Sequence, residues 1–111
     1  MSLKDKLMDD LKSAMKDKDT VRKNAVQMVR ASVLQVEKDN KITLDDEGVI
    51  EVVAKEVKKR KDVLPEYEKS GRQELIEELN REIQVLMAYL PQQMSEEEIE
   101  ALVIDAIAQV E

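Results

Sequence analysis

A chain of 111 residues fits a single domain, and with no Trp, no Phe, two Tyr and six Met its core must be built from Leu, Ile, Val and Met, a packing that adapts rather than specifies sharply. The absence of His and Cys excludes transition-metal sites of the usual kind, histidine general bases, Ser–His and Cys–His nucleophiles, and disulfides. The net charge of −7 is uneven: residues 95–111 hold six acids and no base, and the remainder is nearly balanced, so the body can carry local basic patches despite the acidic total.

Apolar residues recur at steps of three and four along the whole chain without sustained alternation, which predicts an all-α fold. The first helix is expected from about Leu3 to Lys18, with Ser2 as N-cap and Leu3, Leu7, Leu11, Ala14 and Met15 on its inner stripe. A second helix should follow the break at Asp19–Thr20 and run to about Asp39, facing Val21, Ala25, Met28, Val29, Val33 and Val36 inward. Asn40–Leu44 reads as a turn, with Thr43 able to cap a third helix that starts near Asp45 and presents Val49, Val53, Val57 and Leu64. Pro65 should kink or briefly break that helix, since it lacks the N–H that would reach Lys61 and disfavours helical geometry at Leu64.

Ser70 and Gly71 mark its end, Gly71 suiting a left-handed position. The fourth helix carries the most regular stripe, Leu75, Ile76, Leu79, Ile83, Leu86, Met87 and Leu90, closed by Pro91. After a short linker at residues 92–94, Ser95 and Glu98 stand at capping-box spacing and open a further helix with Ile99, Leu102, Val103, Ala106, Ile107 and Val110 on one face. Nothing follows to cover that face.

No catalytic, cofactor-binding or metal-ligating set is expected. Gly48 and Gly71 are isolated, which excludes a glycine-rich phosphate loop. The carboxylate pairs Asp45–Asp46 and Glu77–Glu78 are helical neighbours pointing about 100° apart, and read as solvated faces. Ser13, Ser32 and Ser70 lie in no strained glycine-rich turn of the kind serine nucleophiles use. The start of the chain, Met1–Asp10, is charged at every second or third position, unlike a signal or transit segment, and no run reaches bilayer length. Together with the lack of cysteine, this gives the expectation of a cytoplasmic protein.

Surface features remain. Lys55, Lys58 and Lys59 share an arc of the third helix opposite its valines, with Lys61 to the side, a compact positive patch able to neutralise phosphates, and Lys23 and Arg30 form a smaller one. No aromatic is interleaved for base stacking, and Asp62 dilutes the field. Arg22 and Arg60 project among apolar residues, so each either snorkels, pairs with a carboxylate of a neighbouring helix, or points into a groove.

Several stretches carry a resemblance: Leu3-Lys4-Asp5-Lys6-Leu7 with Ala14-Met15-Lys16, Val26-Gln27-Met28-Val29-Arg30-Ala31-Ser32, Lys59-Arg60-Lys61-Asp62, Glu68-Lys69-Ser70-Gly71-Arg72, and Tyr89-Leu90-Pro91 leading into Ser95-Glu96-Glu97-Glu98-Ile99. In order and spacing they resemble the YqeY-like proteins of the GatB/YqeY family over essentially the whole chain. The resemblance implies a helical N-terminal domain, residues 1–91, followed by a truncated domain similar to the tail of the B subunit of tRNA-dependent amidotransferase, of which residues 95–111 are the first helix. It also implies a tRNA or amidotransferase partner and the family label of carbon–nitrogen ligase activity with glutamine as amido-nitrogen donor. No family catalytic motif maps onto particular positions. The expectation is a noncatalytic helical adaptor that meets tRNA through Lys55, Lys58, Lys59, Arg60 and Lys61, with Lys23 and Arg30 as secondary contacts. The alternative is a protein-interaction or self-association module that uses the apolar face of the last helix.

Overall fold

The computed structural model describes residues 2–91, and among them every regular element is a helix. Helix α1, Leu3–Lys16, starts at a complete capping box: the Ser2 hydroxyl accepts the Asp5 N–H while the Asp5 carboxylate accepts the Ser2 N–H. It buries Leu7, Leu11 and Ala14. The helix stops before Lys18, which takes a left-handed φ of 57°. Helix α2, Thr20–Asn40, opens on the Asp19 carboxylate, which accepts the Arg22 N–H at 3.1 Å. It closes on Lys41, also left-handed at φ 54°.

The inner face of α2 is Ala25, Val26, Val29 and Val33. Met28 and Met15, both read as inward from the sequence, lie 49% and 60% exposed. Val26 takes the place expected for Met28, because a residue one position before Val29 points about 100° away from it.

Helix α3, Asp46–Ser70, is capped by Asp45, whose carboxylate accepts the Gly48 N–H at 2.9 Å. This corrects the assignment of the cap to Thr43. The positive first turn favours the Asp45 carboxylate as cap and also the carboxylates of Asp46 and Glu47 that follow it. Gly48 is needed for a close approach: a Cβ there would lie 2.7 Å from Leu44 Cδ2. The helix continues through Pro65 without the break allowed by the sequence reading. That position is exposed, so the proline ring faces solvent rather than a packed neighbour.

Gly71 ends α3 at φ 70°, as expected of a left-handed C-terminal glycine. Helix α4, Gln73–Met87, buries Leu79, Ile83 and Leu86, and Tyr89 and Leu90 continue into the core.

Helix α1 lies along α2, α3 lies along α4, and α2 contacts both α3 and α4. The seam holds Leu7 and Leu11 from α1, the inner face of α2, Val49, Val53 and Val57 from α3, and the α4 stripe. A polar clasp joins the N-terminus of α1 to the α2–α3 turn: Lys4 and the Leu44 N–H both donate to the Glu37 carboxylate, and the Leu3 N–H donates to Asp46 at 3.0 Å. The Lys4 bond, followed by the Leu44 bond, holds the Glu37 carboxyl below its ordinary range.

The two kinds of left-handed closure differ in cost, since a side chain in that region is disfavoured by about 1 kcal/mol relative to glycine. Lys41→Gly is expected to raise the urea midpoint and Gly71→Ala to lower it, each by the equivalent of about 1 kcal/mol.

Candidate functional site

The middle of α3 presents two i, i+4 ridges, Val49-Val53-Val57 and Val52-Glu56-Arg60. The second turns two charged residues inward: Glu56 is 4% and Arg60 6% exposed. The Arg60 guanidinium donates to the Glu56 carboxylate at 3.1 Å, to the Glu56 backbone carbonyl at 3.0 Å, and to Glu82 of α4 at 3.3 and 3.4 Å. Its Nη2 also lies 3.4 Å from the Met28 sulfur. The second Glu56 oxygen accepts the Ser32 hydroxyl of α2 at 2.9 Å. One guanidinium between two carboxylates leaves an excess negative charge, which Lys59 Nζ, 4.0 Å from Glu56 Oε1, offsets. Among the described residues no buried side-chain nitrogen or oxygen lacks a hydrogen-bond partner.

This placement corrects the reading of Arg60 as a phosphate contact. Its side chain is 7% exposed and its donors are engaged by carboxylates and a carbonyl, so it serves as the tie between α2, α3 and α4. Arg22 has the analogous role at the other side. It reaches Asp10 at 3.3 Å and Ser13 at 3.5 Å, and Asp10 in turn accepts the Tyr89 hydroxyl. Lys6 sits 5.1 Å above the Tyr89 ring.

Of the remaining sequence candidates, Lys58 is paired with Asp62 at 3.1 Å, Lys55 is half-buried and Lys59 is 72% exposed. Lys55 and Lys59 stand at the edge of a groove of about 590 Å³ between the C-terminal half of α2 and the N-terminal half of α3, lined also by Val36, Ile42, Leu44, Glu51 and Val52. Lys61 is half-buried beside them in sequence. Arg30 instead borders a smaller depression of about 240 Å³ between α1 and α2, with Lys4, Met8, Leu34 and Glu37. Lys23 is half-buried near the start of α2. Lys55 and Lys59 therefore line one depression and Arg30 another. Ile99, Leu102, Val103, Ala106, Ile107 and Val110 lie outside the described residues.

The sequence reading allowed Arg60 a carboxylate of a neighbouring helix but did not name Glu56 and Glu82 as its partners, nor Ser32 as a partner of Glu56. The available signal was the i, i+4 ridge that Glu56 and Arg60 share with Val52. Among the described residues no group of three or more metal-ligating side chains is gathered, and no helix is long and apolar enough to cross a membrane.

The model of the Yqey-like protein family matches residues 4–111. The chain belongs to the YqeY-like family. This YqeY-like chain is 37% identical over 105 residues to the protein named "Altered inheritance of mitochondria protein 41, mitochondrial" of Kluyveromyces lactis, covering 91% of the chain and 56% of the relative. The protein of the same name in Pyrenophora tritici-repentis is 26% identical over 108 residues, covering 96% and 60%. An uncharacterized protein of Schizosaccharomyces pombe is 30% identical over 93 residues, covering 84% and 72%. The chain thus spans little more than half the length of the first two relatives. Four of its relatives are named as mitochondrial proteins, which overturns the expectation of a cytoplasmic protein. The features behind that expectation, a cysteine-free composition and no bilayer-length run, are shared by proteins of many compartments.

Two outcomes test the polar ties. Arg60→Ala should destabilise by about 3–5 kcal/mol in urea unfolding because it strands Glu56, whereas Arg60→Met combined with Glu56→Leu should cost less or nothing. Burial first, and then the bond to Asp10, keep the Tyr89 phenol protonated well above its ordinary value. Its contribution to stability is therefore present below about pH 10 and lost as pH rises further. Tyr89→Phe should flatten the alkaline fall in stability measured by circular dichroism.

Proposed function

We propose that this YqeY-like chain is a noncatalytic helical adaptor that meets the backbone of tRNA through Lys55, Lys58 and Lys59, and so serves a tRNA-dependent amidotransferase system. On this reading the amide-transfer chemistry, carbon–nitrogen ligation with glutamine as nitrogen donor, belongs to the enzyme it assists. Residues 95–111 begin a domain of the type found in the tail of that enzyme's B subunit.

The observation that carries the reading is the placement of Lys55 and Lys59 one turn apart at the edge of the α2–α3 groove. Lys59 is shared with Glu56 at 4.0 Å, while its side chain remains 72% exposed and within reach of a phosphate. The absence of histidine and cysteine from the whole chain supports binding over catalysis, because an acid–base or nucleophilic site would have to be assembled from carboxylates, hydroxyls and amines alone.

Binding of this kind is dominated by counterion release and falls with salt by a slope of about 0.7–0.9 for each phosphate neutralised. Filter retention of tRNA is expected at 50 mM salt and should drop steeply by 200 mM. Lys55→Glu with Lys59→Glu should weaken it at least about tenfold and flatten the salt slope by about 2. Retention unchanged by these substitutions, or none at low salt, overturns the proposal.

A further inference from the structure

Helices α2 and α3 meet in antiparallel register along one polar edge. Ser32 of α2 donates to Glu56 of α3, and one turn earlier on α2 the Met28 sulfur accepts a bond from Arg60, one turn later on α3. An arginine carries five N–H donors. In Arg60, Nε donates to Glu82, Nη1 to the Glu56 carboxylate and to the Glu56 backbone carbonyl, and one N–H of Nη2 to Glu82, so four donors end on oxygen. The fifth, the second N–H of Nη2, ends on the Met28 sulfur at 3.4 Å. A thioether is a weak acceptor, so this is the weakest bond of a cluster otherwise saturated by oxygen. The two partners also differ in access. The Arg60 side chain is 7% exposed and Met28 is 49% exposed, so a reagent dissolved in water reaches the sulfur and not the guanidinium.

We propose that Met28 is an oxidation site, at which a peroxide converts the thioether to a sulfoxide whose new oxygen takes the fifth donor of Arg60. A sulfur lone pair attacks one oxygen of hydrogen peroxide, the S–O bond forms as the O–O bond breaks, and the departing hydroxide takes the proton left on the transferred oxygen and leaves as water. Sulfur loses two electrons and the peroxide gains them. In an apolar setting this reaction places a polar group where packing needs an apolar one, and the structure loosens. At Met28 the added oxygen instead meets a charged donor, and a charge-assisted hydrogen bond is roughly twice as strong as a neutral one. The half-exposed side chain has room to draw back by the length of the added bond, without displacing Val26 and Val29, which carry the core face of α2. Oxidation therefore tightens α2 against α3, and a methionine sulfoxide reductase restores the thioether. This chemistry is separate from any contact with RNA.

Peroxide treatment of the full chain, with peptide mapping by mass spectrometry, tests the site. Met28 is expected to gain one oxygen in the folded protein, along with the exposed Met8 and Met15. Met28→Leu is the reference, since the other methionines oxidise alike in it. On treatment, the folded-to-unfolded ratio in urea should rise about fivefold in the wild type relative to Met28→Leu, and proton exchange with water at the Arg60 guanidinium, read by NMR, should slow about tenfold. Met28→Gln, whose amide oxygen has the reach of a sulfoxide oxygen, should slow the same exchange without peroxide. Three results overturn the proposal: Met28 staying reduced while Met8 and Met15 are oxidised, a folded-to-unfolded ratio that falls on oxidation more in the wild type than in Met28→Leu, or Arg60 exchange unchanged in both the oxidised protein and Met28→Gln.

Discussion

Placing a guanidinium inside an aliphatic bundle imposes a condition on everything around it. The charge cannot be left in a low-dielectric interior without counter-charges and acceptors in the right directions. Arg60 meets that condition through Glu56 on its own helix, Glu82 on α4 and a backbone carbonyl, and Ser32 on α2 completes the second side of Glu56. Valine and leucine tolerate sliding past one another, so an aliphatic core without Phe or Trp specifies its helix arrangement only loosely. The cluster supplies what the core lacks, because its hydrogen bonds form in one relative placement of α2, α3 and α4.

The same cluster shapes the surface. By pulling Glu56 and Arg60 inward, it removes two charges from the exposed side of α3 and leaves Lys55 and Lys59 as the cations at the groove edge. Nearer the α2–α3 turn the clasp of Lys4, Glu37 and Leu44, together with the Asp46 bond to the start of α1, holds the end of the groove where Ile42 emerges. The groove is thus a place where two helices part between two polar ties, with apolar side chains between them and lysines at the rim. A surface of this composition suits recognition of an amphipathic or polyanionic partner and offers little to a small neutral one.

Membership in the YqeY-like family places this architecture among relatives named for altered inheritance of mitochondria. Among the described residues, every buried side-chain nitrogen and oxygen has a hydrogen-bond partner. That arrangement fixes the position of the surfaces around it.

Much of the fold was legible because helix formation is a local matter. The stripe Leu79-Ile83-Leu86, the capping role of Ser2 and the left-handed Gly71 follow from spacing and from the chemistry of single residues, and each appears as read. Choices among near-equivalent neighbours were not legible: Asp45 over Thr43 as cap, Val26 over Met28 as core residue, a continuous helix over a broken one at Pro65. Periodicity marked Arg60 as out of place on its helix, but its burial and its partners were settled by the approach of Glu82 from α4 and Ser32 from α2. Those residues lie 22 and 28 positions away from Arg60 in the chain, and no local pattern records such a meeting. The amino-acid sequence by itself determined the helical character, the caps at Ser2 and Gly71 and the absence of histidine and cysteine. Only tertiary packing decided which charges face inward and which stand at the groove edge, because burial depends on what the neighbouring helices bring.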